Sequence, residues 1–132
     1  MEKILHLSDR WIEELNNAAQ SHKGLGNAIS GIELVVEYRV VDKESVSWQI
    51  QINKGDIEIT ADCRHEPDVW FETDRPTAIS LFEGKINPLN AVIEGNMEIG
   101  GDPRRLLESS EMFEQLEDVF ETIRNSTVTD SS

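Results

Sequence analysis

Residues 45–60 read SVSWQIQINKGDIEIT. Val46, Trp48, Ile50 and Ile52 alternate with Ser45, Ser47, Gln49 and Gln51, the cleanest two-residue period in the chain. Successive side chains of a strand point to opposite faces, so this run predicts a strand with one apolar and one polar face. Asn53, Lys54, Gly55 and Asp56 then turn the chain into a second alternation at Ile57 and Ile59. Upstream, IELVVEYRVV (32–41) sets Ile32, Leu34, Val36, Tyr38 and Val40 against Glu33, Val35, Glu37 and Arg39. Short polar links join the three runs, which predicts an antiparallel meander. Such a sheet is expected to be covered on its apolar side only. DVWFETD (68–74) reads as a fourth strand after the break at RHEP.

Helices flank these strands. Ser8 or Asp9 caps a helix to Ser21, with Trp11, Ile12, Leu15, Ala18 and Ala19 on one stripe, and HKGLG (22–26) is expected to stop it. After the fourth strand, Pro76 opens a short helix ending at Gly84. Asn87-Pro88 opens another ending at Gly95. NMEIG (96–100) is too short for a helix and suits a last strand with Met97 and Ile99 inward. Asp102 and Pro103 start a terminal helix that carries Met112, Leu116, Val119, Phe120 and Ile123 on one face. The order predicts an α+β two-layer domain, with a mainly antiparallel sheet and helices packed on one face. One domain is expected over residues 1–124, followed by a polar, frayed tail at 125–132.

Composition narrows the function. With 132 residues, 38% hydrophobic and 29% charged, the chain can bury a core without disulfides or metal. Twelve basic against 26 acidic residues give a net charge of −14. Nucleic acid binding requires clustered Lys and Arg, so that class is excluded. The same charge disfavours anionic membrane surfaces, and no window approaches a membrane span, so stable insertion is not expected. The start, MEKILHLSDRW, lacks the pattern of a signal peptide, and the last residues, TDSS, carry no peroxisomal tripeptide. Together with a single cysteine, Cys63, these features lead to a cytoplasmic expectation.

Motifs for chemistry are sparse. The chain contains no G-x-S-x-G, Walker-type loop or H-E-x-x-H. Cys63, His65 and Glu66 form the one local polar set, and it falls short of the three or four convergent ligands that a metal needs. A pair such as Glu83 and Glu94 carries no acid–base signal in so acidic a chain. No catalytic group, metal or cofactor is expected.

SWQIQINKGDIEIT and PDVWFETDRPTAISLFEGKINPLNAVIEGNMEIGGDPRRLL together resemble the sterol carrier protein family, the non-specific lipid-transfer domain. The resemblance rests on Gly55, Asp68, Gly84-Lys85, Asn87-Pro88, Gly95 and Gly101-Asp102, and spans about Ile32 to Leu116. It implies helices over a five-stranded sheet, with an apolar tunnel between the layers for a fatty acid, acyl-CoA or sterol-like lipid. Candidate lining residues are Trp48 and Ile50 on the sheet, and Phe71 on the fourth strand. The two short helices supply Ile79, Phe82, Leu89, Val92 and Ile93. Met97 and Ile99 lie on the last strand, and Met112 and Leu116 on the terminal helix. The implied function is a binding or carrier protein for a hydrophobic small molecule. The alternative is a non-catalytic accessory or dimerisation module of lipid or quinone metabolism with a filled core, which leaves a homodimer or a partner enzyme open.

Overall fold

The computed structural model describes residues 4–41, 45–63, 65–86, 88–102, 104–105, 110–124 and 127–128. Strand β1 is Ile4–Leu5, followed by helices α1 (Asp9–Ser21) and α2 (Lys23–Ala28). Strands β2 (Glu33–Val41), β3 (Val46–Asn53), β4 (Asp56–Thr60) and β5 (Val69–Asp74) come next. Helices α3 (Arg75–Phe82) and α4 (Pro88–Ile93), strand β6 (Met97–Gly101), helix α5 (Ser110–Arg124) and strand β7 (Thr127–Val128) complete the order.

The main sheet has five strands in the order β4-β3-β2-β5-β6. The meander forms as the alternation requires: β2 pairs β3, and β3 pairs β4, both antiparallel. Strand β5 joins β2 in parallel and β6 antiparallel, so the sheet is mixed. Asp68 fastens the parallel joint. Its carboxylate accepts from the Val35 N–H at 2.8 Å, and its own N–H donates to the Val35 carbonyl at 2.9 Å. Its carbonyl accepts from the Asp102 N–H at 2.8 Å, closing the far end of β6 as well.

The core lies between the sheet and the helices. Val36, Ile50 and Val69 are cross-strand neighbours with no exposed surface. Leu15, Leu25, Met112 and Val119 of the helices are buried equally deeply, within the same cluster. Helix α1 begins as the sequence predicts: Ser8 caps it by accepting from the Trp11 N–H at 3.1 Å. Asp74 caps α3 by accepting from the Thr77 N–H at 2.8 Å.

Three local features differ from the sequence expectation. HKGLG ends α1 at Ser21 as expected, but a second helix starts within it. His22 leaves helical geometry for one residue, then caps α2 through Nδ1, which accepts from the Leu25 N–H at 3.0 Å. The outer face of the sheet is also not wholly bare. Gln49 is fully buried and Glu37 nearly so, because the segment after β4 crosses over them. Gln49 donates to the Glu37 carboxylate at 2.9 Å and to the His65 carbonyl at 2.7 Å. Finally, within the stretch expected as tail, Thr127–Val128 pair in parallel with Ile4–Leu5. Asn87 and Pro103, expected at helix starts, and residues 106–109, where the terminal helix was expected to run on, lie outside the described residues.

Candidate functional site

Trp48, Tyr38, Phe71 and Ile99 face one another in register across β3, β2, β5 and β6. This row lies two residues along from the packed row of Ile50, Val36 and Val69, on the same face of the sheet. Above the packed row the helices close down. Over the aromatic row the packing is looser: Trp11 of α1 and Phe120 of α5 meet Trp48 edge-on at 5.6 and 6.4 Å, and a cavity of about 1070 Å3 is bordered by these residues. Tyr38 stacks on Trp48 at 4.4 Å and on Phe71 at 5.2 Å, so the floor is a near-continuous ring surface.

The helices supply the opposite wall. Ala78, Leu81 and Phe82 come from α3, and Leu116 and Phe120 from α5. Trp11 of α1 closes one end together with His6 and Leu7. Lys85, Asn90, Glu94, Ser110 and Glu114 of the lining are exposed and mark where the cavity meets solvent. The interior is therefore apolar and the charge sits at the mouth, as expected of a small-molecule site. A polar depression of about 690 Å3 beside β4, lined by Gln20, Gln51, Asp56, Glu58 and His65, lacks that character.

Electrostatics inside the cavity favour neutral groups. Burial pushes the His6 imidazole down to a pKa of about 4, helped by the positive charge of Arg75, so His6 is uncharged at neutral pH. Burial, assisted by Glu117, pushes the Tyr38 phenol above its ordinary value. Arg39 borders the cavity, but its guanidinium serves the other face, donating to Glu37 at 2.5 Å and lying 4.6 Å over the Trp70 ring. On that face burial raises the Glu37 carboxyl, but hydrogen bonds from Arg39 and Gln49 outweigh it and leave the group below its ordinary value.

The residues chosen from the sequence divide between cavity and core. Trp48, Phe71, Phe82, Met97, Ile99 and Leu116 line the cavity. Ile50 and Met112 belong to the same buried cluster but are not among the residues lining the cavity. Ile79 is buried and Val92 packs against the core, both away from the cavity wall. Ile93 points to solvent with 73% of its surface exposed. The side chain of Leu89 lies outside the described part of the structure. Sequence reasoning passed over His6, Leu7, Trp11, Tyr38 and Phe120. For Tyr38 a signal existed, since it alternates onto the same face as Val36 and Val40. For His6 none did.

The SCP-2 sterol transfer family matches residues 12–114. The chain belongs to that family. Its fold superposes on the crystal structure of sterol carrier protein 2 with a TM-score of 0.71 at 18% identity, covering 87% of this chain and 96% of the other. The conserved hypothetical protein TT1886 from Thermus thermophilus gives 0.73 at 18% identity, over 100% and 96%. UbiJ-SCP2, a ubiquinone synthesis protein, gives 0.60 at 17% identity, over 86% and 89%. At such identities the likeness establishes the fold and nothing finer. No protein of curated function matches the chain in sequence. Membership brings lipid binding and transport as the family's general role. Among the described residues no helix of this SCP-2 chain is long and apolar enough to cross a membrane.

Proposed function

We propose that this SCP-2 domain is a carrier that takes up one hydrophobic small molecule, a fatty acid, acyl-CoA or sterol-like lipid, between its sheet and its helices. The carrying observation is the cavity of about 1070 Å3 over the Trp48–Tyr38–Phe71–Ile99 row. That volume reaches the upper end of the roughly 300–1,000 Å3 of small-molecule sites. Burying ten methylenes at about 0.8 kcal/mol each contributes roughly 8 kcal/mol before costs, which corresponds to about micromolar affinity. Lining residues proposed to touch the guest are Trp48, Phe71, Phe82, Met97, Ile99 and Leu116, joined by Tyr38 and Phe120.

The binding needs no covalent chemistry, and we read the domain as non-catalytic. Cys63 and His65 belong to the segment over the outer face of the sheet, away from the cavity. Burial, followed by the charge of Glu37, raises the Cys63 thiol above its ordinary value, which suppresses the thiolate a nucleophile needs. The accessory reading, with a filled core and a partner enzyme of quinone metabolism, draws on the likeness to UbiJ-SCP2. The open space above the aromatic row favours the carrier.

Solvent extraction of purified native protein and mass spectrometry decide between them. A carrier yields bound lipid or, once stripped, takes up a fluorescent fatty acid with saturation at one equivalent. Absence of both sinks the carrier reading, and a stable complex in pull-down then supports the accessory one.

A further inference from the structure

The buried part of the cavity lining holds an anomaly. Trp11, Trp48 and His6 are 1%, 4% and 3% exposed, and Trp11 Nε1, Trp48 Nε1 and His6 Nδ1 have no hydrogen-bond partner. Buried polar atoms of native proteins are nearly always paired, so three orphans in one cluster call for an explanation. The rings pack edge to face: His6 to Trp11 at 4.8 Å and Trp11 to Trp48 at 5.6 Å. His6 also stacks on Phe82 at 4.9 Å. An N–H held against a ring face is a weak substitute for an N–H held by an oxygen. All four residues line the cavity.

We propose that the guest of this cavity carries an uncharged hydrogen-bond-accepting oxygen, a hydroxyl or carbonyl, at its inner end, and that the indole N–H groups of Trp11 and Trp48 hold it beside His6. The proposal rests on the carrier reading and specifies its ligand. An indole N–H only donates, so the complement must accept. The complement must also be neutral, because a carboxylate at this depth would be desolvated without a cationic partner. The nearby cations are already engaged or stand outside the lining, Arg124 over the Phe82 ring among them. Arg39 is engaged with Glu37 and Trp70, and Lys85 stands at the exposed mouth, 3.4 Å from Glu83. Arg124 is tied to the Phe82 carbonyl and to Glu117, and Arg75, whose charge is felt by His6, is not among the lining residues. The three nitrogen atoms are sealed from water with the rings packed as described, so the oxygen enters by turning the indoles rather than by filling an empty slot. The turn gives the two unpaired donors an acceptor. It also moves two tryptophans, which makes entry visible in their emission.

The test is competition between dodecane, dodecanol, a dodecanone and dodecanoate for the site, read by displacement of a fluorescent fatty acid from the full chain. The alcohol and the ketone are expected to bind about tenfold more tightly than the alkane, the scale of one or two hydrogen bonds to an otherwise unsatisfied donor. The carboxylate is expected to gain no such advantage at pH 7. Trp48→Phe and Trp11→Phe remove the two donors, and within each variant alcohol, ketone and alkane should then bind with affinities that no longer differ. Equal binding of alkane, alcohol and ketone by the unaltered protein overturns the proposal without recourse to any variant. So does a preference that survives both substitutions, or a carboxylate that binds best. If no member of the series binds at all, the carrier reading itself falls.

Discussion

His6 has lost its usual charge to burial, and the loss is measurable. Its folded pKa of about 4 lies below the ordinary 6.5, so between these values the unfolded chain binds a proton that the folded chain refuses. The contribution is complete above pH 6.5 and falls away as the pH drops toward 4. The gap between the two values corresponds to about 3 kcal/mol. Urea unfolding at a series of pH values should show this fall. His6→Phe should flatten the slope between about pH 6.5 and 5, above the range in which most carboxylates titrate. An unchanged slope in the variant would remove His6 from the account.

Gly100 is a second residue with an individual role. A Cβ built there would overlap the Trp70 indole, its cross-strand partner on the outer face. Arg39 lies over that indole and restrains it. Gly100→Ala should therefore destabilise the protein by about 1–3 kcal/mol, the cost of overpacking a fitted site. In the Trp70→Ala background the same change should cost far less. Equal costs in both backgrounds would show that the tryptophan is not the obstacle.

Elements were legible in the sequence where their signal is local. The Val46–Ile52 alternation set the two faces of β3, and Pro76 marked the start of α3. Helix α2 escaped because its cap is a histidine, outside the usual set of capping side chains, and its body holds two glycines. His22 does two things at once. Nδ1 caps α2, which leaves Nε2 to donate to Asp118 of α5 at 2.6 Å. The partners stand 96 positions apart, so no local pattern betrays the contact. His22→Ala should cost about 1 kcal/mol, mostly through the cap. Asp118→Ala should cost less, since Asp118 is exposed and water can replace the bond it accepts from the His22 imidazole. Chemical denaturation of both variants checks the ranking.

The division of the candidate site has the same origin. Trp48 and Ile50 sit two residues apart on one face of one strand, with identical local signals. Only the elements packed above decide that Trp48, and not Ile50, borders the cavity. Parallel pairing of β2 with β5 was likewise hidden, because DVWFETD announces a strand but not its neighbour. Polar Gln49 read as a solvent-facing residue until a distant segment covered it.

At the scale of the whole molecule, a net charge of −14 on 132 residues means that folding concentrates like charge. Self-repulsion of this kind destabilises the compact state and weakens as salt screens it. Raising sodium chloride from low to physiological strength should therefore raise the thermal midpoint. A midpoint that falls over that range would show that attractive pairs such as Arg124–Glu117 at 3.1 Å outweigh the repulsion.

The Asp68 clasp also orders events in time. It joins Val35 to a residue 33 positions later, whereas the β2–β3–β4 meander closes through short turns. Nearby pairings close with little loss of chain entropy, and distant ones wait. The meander can thus form early in folding as a template. The docking of β5 along Val36–Val41, and of β6 behind it, then becomes the late step that completes the aromatic row. By that ordering the cavity is the last part of the protein to exist, and a hydrophobic guest meets it only after the rest of the sheet is committed.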